Sequence, residues 1–242
     1  MDSREVKAKT KRLVSQLRAL GDKERAERSR SFFKTGPGQY GEGDVFLGIP
    51  VPALRELLKK HPELAAAEAL ELLRSPYHEA RFLALLLLVS RYRTARSPGE
   101  REKIYRAYLE HTAFINSWDL VDGSAEHIVG GHLFRRDRRP LRRLAASKSL
   151  WERRISVLAT FYFIRRGEYA DFLEIARSLL DDEEDLIHKA VGWLLREVGK
   201  RAPEIEREFL TAHYRRMPRT MLRYAIEKFP EKERLAYLCG EI

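Results

Sequence analysis

Apolar residues recur three or four positions apart along almost the whole chain, as in VKAKTKRLVSQLRAL, PALRELLKK, EKIYRAYLEH and IHKAVGWLLREVGK. That spacing gathers them on one face of a helix. No segment alternates apolar and polar residues convincingly enough to predict a strand. Helix punctuation agrees with the periodicity. Gly21 follows the first helical stretch, Pro50 with Pro52 opens another, Ser97-Pro98 opens a third, and Pro203 and Pro218 open two late ones. The apolar run Leu83 to Val89 is far shorter than the roughly 20 residues that span a bilayer, so it predicts a buried helix.

One long interruption, KTGPGQYGEGDVFLGIP at 34–50, carries four glycines before Phe46. Tyr40, Val45 and Phe46 offer apolar anchors, so an ordered loop is expected, with a flexible connector as the alternative.

The helical segments also repeat. EARFLALLLL, WDLVDG, RRISVLATF, HKAVGWLL and LRYAIEKF stack in one register with Arg81, Trp118, Arg154, Lys189 and Arg223 at the anchor position, separated by 37, 36, 35 and 34 residues. Helix-pair repeats such as HEAT have about this length. Three residues beyond each anchor stand Ala84, Val121, Val157, Gly192 and Ile226, which predicts a buried stripe beside the anchor column. Four of the five anchors are basic, so stacking is expected to line up a cationic track. The chain is therefore read as one all-α domain over residues 1–242.

Composition adds a partner. The 46 Lys and Arg exceed the 36 Asp and Glu, for a formal charge of +10, which favours a polyanion. Arg135, Arg136, Arg138, Arg139, Arg142, Arg143, Arg165 and Arg166 add basic density, part of which fits a solvated helix face. At 44% hydrophobic residues the chain has enough apolar material for a core. The single Cys239 cannot form an intramolecular disulfide, and the first residues lack the apolar stretch of a signal peptide, so a cytoplasmic location is expected. Seven histidines stand in no metal-ligand spacing, and nucleotide-binding and serine-hydrolase motifs are absent. Neither a metal nor a cofactor is expected.

Candidate chemistry centres on FINSWDLVDGSAEH. Asn116 or Ser117 caps a helix whose first turn holds Trp118 and Asp119, with Asp122 one turn after Trp118 on the same face. Asp119 is explained by the helix dipole. Asp122 beside an indole suits a developing cation, although an ion pair with Arg154 is an ordinary alternative. Trp193 follows Lys189 by four residues, as Asp122 follows Trp118, and so occupies the equivalent helical face; a core tryptophan among Ala190, Val191, Leu194 and Leu195 is the other reading. Trp151 fits a core or helix-start staple.

With these residues in place, the chain resembles the AlkD-like DNA alkylation repair glycosylases, through FLGIPVPALRELLK, SWDLVD, LWERRISVL and, most specifically, IHKAVGWLLRE, from about Phe46 to about Phe229. The resemblance implies a right-handed solenoid of HEAT-like antiparallel helix pairs with a concave basic face that binds duplex DNA. It implies that Trp118 and Trp193 bracket the lesion sugar, that Asp122 is the catalytic carboxylate and that Arg154 contacts the DNA backbone. The implied activity is metal-free excision of cationic purines such as 3-methyladenine and 7-methylguanine, leaving an abasic site. Lys189, Arg81 and Arg223 complete the expected DNA-binding set, and a monomer away from membranes is expected. The chain departs from the family pattern at Ser117, where an aromatic residue is common, and in its longer glycine-rich segment. A non-catalytic binder of damaged or branched DNA and a helical scaffold for an acidic protein are the competing functions.

Overall fold

The computed structural model describes residues 3–242, and among these the fold is all-α, with an isolated β-bridge between Val45 and Tyr77. Two compact units divide the chain after Ile128. No described helix is long and apolar enough to cross a membrane.

In the first unit, α1 (Ser3–Ala19) buries Val6, Thr10, Leu13 and Leu17 along one face. The next helix, α2 (Lys23–Phe32), starts at Asp22, whose side chain accepts from the Arg25 N–H at 3.0 Å; only Ala26 of α2 is buried. After the glycine-rich loop come α3 (Val51–Lys59), α4 (Ala66–Leu73), α5 (His78–Thr94), α6 (Pro98–Glu110) and the short α7 (Trp118–Asp122). The expected starts at Pro50 and at Ser97-Pro98 are found. The segment Leu83 to Val89 lies inside α5, which packs against α3, α4, α6 and α7. Burial on all sides explains why its apolar residues show no single stripe.

Phe46 anchors the loop as expected, at 5% exposure. Val45 does so differently from its expected apolar role. Its side chain is exposed, and its backbone carbonyl accepts from the His78 N–H at 2.9 Å. Gly48 sits at φ +78°, and a Cβ there would lie 2.2 Å from the Asp22 carbonyl oxygen, so the loop passes α2 as closely as only glycine permits.

A π-helical turn, Glu126–Gly130, carries the chain from the first unit into the second. There follow α8 (Gly131–Leu133), α9 (Arg139–Ala145), α10 (Leu150–Ala159), α11 (Phe161–Ile164), α12 (Ala170–Ser178), α13 (Asp185–Gly199), α14 (Pro203–His213), α15 (Arg219–Ala225) and α16 (Glu231–Cys239). The late starts at Pro203 and Pro218 are found too. Helix α13 packs on α10, α14 and α15. Every member of the predicted stripe, Ala84, Val121, Val157, Gly192 and Ile226, is buried.

Candidate active site

Helix α7 is five residues long, too short to be stable by itself. It is held by its neighbours. Leu120 and Val121 are buried, and just past its end Ser124 shares a hydrogen bond with the buried Tyr108 hydroxyl at 2.9 Å. Burial, and then the negative charge of Asp122, raise the pKa of that phenol despite its bond to Ser124. Trp118 and Asp122 are both half-buried, one turn apart.

Ser117 occupies the N-cap position, but its side chain makes no capping bond, and its buried Oγ has no hydrogen-bond partner. Asp119 instead ties down the start of the helix. One carboxylate oxygen accepts from its neighbour's N–H, that of Leu120, at 2.9 Å, and the other accepts from His78 Nε2 at 2.8 Å. The dipole explanation of Asp119 is therefore incomplete.

His78, 3% exposed at the start of α5, donates from its other nitrogen, Nδ1, to Asp44 of the glycine-rich loop at 2.9 Å. Ionised carboxylates only accept, so bonds at both ring nitrogens require the imidazolium. Burial opposes that charge, but the bonds to Asp119 and Asp44 outweigh it and raise the His78 pKa to about 9. For Asp44, burial acts upward, and His78 with Arg81 overcomes it to hold the carboxyl below its ordinary value.

The same helix end fastens the rest of the loop. Glu79 accepts from the backbone N–H groups of Leu47, Gly48 and Ile49 at 2.9, 2.7 and 3.2 Å. The Phe33 ring links this region to the indole. It stacks on Trp118 at 5.3 Å and 11°, on Phe46 at 4.9 Å and 28°, and lies tilted over His78 at 5.0 Å. Phe32, 66% exposed, meets Trp118 edge-on at 6.0 Å. Nothing local in the sequence links Phe32, Phe33 and His78 to a helix that begins roughly 40 residues after His78 and more than 80 after the two phenylalanines.

In the second unit Trp193 is half-buried on α13, with Ala190, Val191, Leu194 and Leu195 buried around it on the chain. Phe161 meets it edge-on at 5.5 Å, and the Arg165 guanidinium lies 4.3 Å from the Phe161 ring centre.

The basic anchors divide. Arg81 is 4% exposed; it pairs with Asp44 and donates to the carbonyls of Ser75 and Pro76 at 3.1 and 3.3 Å. Its expected place in a cationic surface track is corrected: it braces the loop. Arg154 is buried as well and donates to the Leu186 carbonyl at 2.5 Å, so it too is no open surface cation. Lys189 is partly exposed beside Asp185 at 2.7 Å, and Arg223 is exposed. The anchor periodicity says nothing about which guanidinium finds an internal partner.

A model of the DNA alkylation repair enzyme family matches residues 13–229. The chain belongs to that family. Among solved structures, one described as a predicted DNA alkylation repair enzyme from Enterococcus faecalis is similar in fold, with a TM-score of 0.68 and 18% identity over 87% of this chain and 97% of that one. A search of curated proteins returns no match.

This family member also carries cationic density that the anchor column does not include. A groove of about 780 Å³ in the first unit runs past Gly123, next to Asp122, and is lined by Arg55, Lys59, His61, Arg91, Arg93 and His127, with no carboxylate among its lining residues. Glu56 lies 2.6 Å from Lys59 and offsets part of that charge. Arg93 donates to His127 Nε2 at 3.0 Å, a bond that calls for a neutral imidazole.

Proposed function

We propose that the protein is a monofunctional DNA glycosylase that binds duplex DNA and hydrolyses the N-glycosidic bond of cationic alkylated purines. Family membership ties the chain to repair of alkylated DNA. The observation that carries the finer reading is the half-buried pair on α7, an indole and a carboxylate one turn apart on a helix pinned at its N-terminus.

A 3- or 7-alkylated purine already bears a positive charge. When its bond to C1′ breaks, the bonding electrons leave with the base and neutralise it, so no general acid is required. The sugar is left as an oxocarbenium-like cation, as in glycoside hydrolysis. Asp122 stabilises this cation and orients the attacking water, whose oxygen bonds to C1′ while its proton passes to the carboxylate and then to solvent. Trp118 offers its ring face to the cationic sugar. Arg223, Lys189 and the groove bearing Arg55, Lys59 and Arg93 meet backbone phosphates.

The chemistry fixes a substrate test. Duplexes containing 7-methylguanine or hypoxanthine are incubated with the protein and free base is measured by mass spectrometry. Release of 7-methylguanine with little or no hypoxanthine is expected. Equal release of the neutral base would remove the argument for a lone carboxylate, and binding without release of either would favour a non-catalytic DNA binder.

A further inference from the structure

The fold reaches α7 through one charged bridge that the reaction as proposed does not use. Asp44 lies in the glycine-rich loop, His78 heads α5 and Asp119 is the second residue of α7, and the imidazole joins all three. Two further charged groups, Glu79 and Arg81, share its helix end. Arg81 pairs with Asp44, Glu79 is occupied by three loop amides, and the rings of Phe33 and Phe46 cover the imidazole at 5.0 and 4.4 Å. Asp44 and Asp119 therefore face two cations, His78 and Arg81, while the Glu79 carboxylate is matched by backbone N–H groups.

Helix α7 depends on this cluster more than a longer helix would. It lacks a side-chain N-cap bond, and the Ser117 hydroxyl that would supply one is buried without a partner. The Asp119 bond to His78 links its first turn to another element, while the Phe33 stack bears on the neighbouring Trp118 ring. Both supports lead back to the loop.

We propose that His78 is a positioning residue for the Trp118–Asp122 helix: bridging Asp44 and Asp119, it makes the glycine-rich loop the support that sets where the indole and the carboxylate stand. The inference rests on the proposed role of that pair for its catalytic consequence, but the bridge itself is independent of any reaction. A neutral imidazole can donate from only one nitrogen, so loss of the proton releases one of the two carboxylates. The helix and the loop then separate.

The test uses the full chain with Trp151 and Trp193 replaced by phenylalanine, which leaves Trp118 as the only indole. Acrylamide quenching of its fluorescence is compared before and after adding His78→Gln or Asp119→Asn, with far-UV circular dichroism as a check on folding. The proposal expects at least a twofold rise in the quenching constant in either variant and no further rise when the two are combined. The same rise is expected without either variant as the pH is taken from 7 to 10, which provides the answer even if a substitution prevents folding. Unchanged quenching in both variants and across that pH range would overturn the bridge. In the protein with all three tryptophans, His78→Gln is expected to slow single-turnover release of 7-methylguanine at least tenfold while affinity for undamaged duplex stays within twofold. Absence of release by the parent would count against the glycosylase reading and leave the quenching result to decide the bridge.

Discussion

Arg154 and Glu206 illustrate how burial reverses what a charged residue contributes. Arg154→Ala is expected to lower the melting temperature, because it empties a buried site and strips a donor from the Leu186 carbonyl, while leaving the salt dependence of DNA binding unchanged. Arg55→Ala should do the opposite: it removes an exposed cation from the groove and should flatten the slope of log affinity against log salt by about 0.9, with little effect on melting. Titrating each variant's binding between low and moderate salt separates the two roles. Glu206 on α14 is buried with Oε1 unpartnered, and burial raises its pKa to about 8. Ionising it costs stability progressively from about pH 4.5 to about pH 8. Glu206→Gln should therefore raise the melting temperature above pH 8 and matter least near pH 4.5. The sequence discloses Trp118 and Asp122 because their relation is one helical turn. It does not disclose the partners of Asp119, Arg81 and Arg154, which lie 41, 37 and 32 residues away in the chain.

At the level of elements, the buried stripe and the helix starts are legible because they follow from apolar period and proline position, both local properties. The anchoring of the glycine-rich loop is less so: Phe46 is visible as an apolar anchor, whereas Glu79 reads as an ordinary first-turn acid until three backbone amides are found pointing at it. Glu79→Gln would turn an amide N–H₂ toward one of those donors. A loss of about 1–3 kcal/mol is expected, measurable by urea unfolding, together with faster amide exchange at Leu47 to Ile49. Gly192 serves packing instead. A Cβ there would lie 2.3 Å from the Met221 carbonyl oxygen and 2.6 Å from Tyr224 Cβ, so α13 and α15 approach each other across it. Gly192→Ala is expected to destabilise by about 1–3 kcal/mol through overpacking, despite the better helix propensity of alanine; greater stability in urea would contradict this packing account.

For the whole molecule, two buried groups set the same pH trend. The His78 bridge contributes fully below about pH 6.5 and is lost as pH rises through about 9, while Glu206 adds its cost up to about pH 8. Melting temperature should fall between pH 6.5 and 9, and His78→Gln should make that fall shallower. The formal charge of +10 gives the chain a general attraction for DNA, which any basic protein shares. Excision is what distinguishes the account. Duplex DNA carrying 7-methylguanine, incubated with excess protein under single-turnover conditions, should release free 7-methylguanine, and Asp122→Asn should slow that release about 10²-fold without weakening DNA binding. No release by the parent protein, or the same rate from Asp122→Asn, would contradict it.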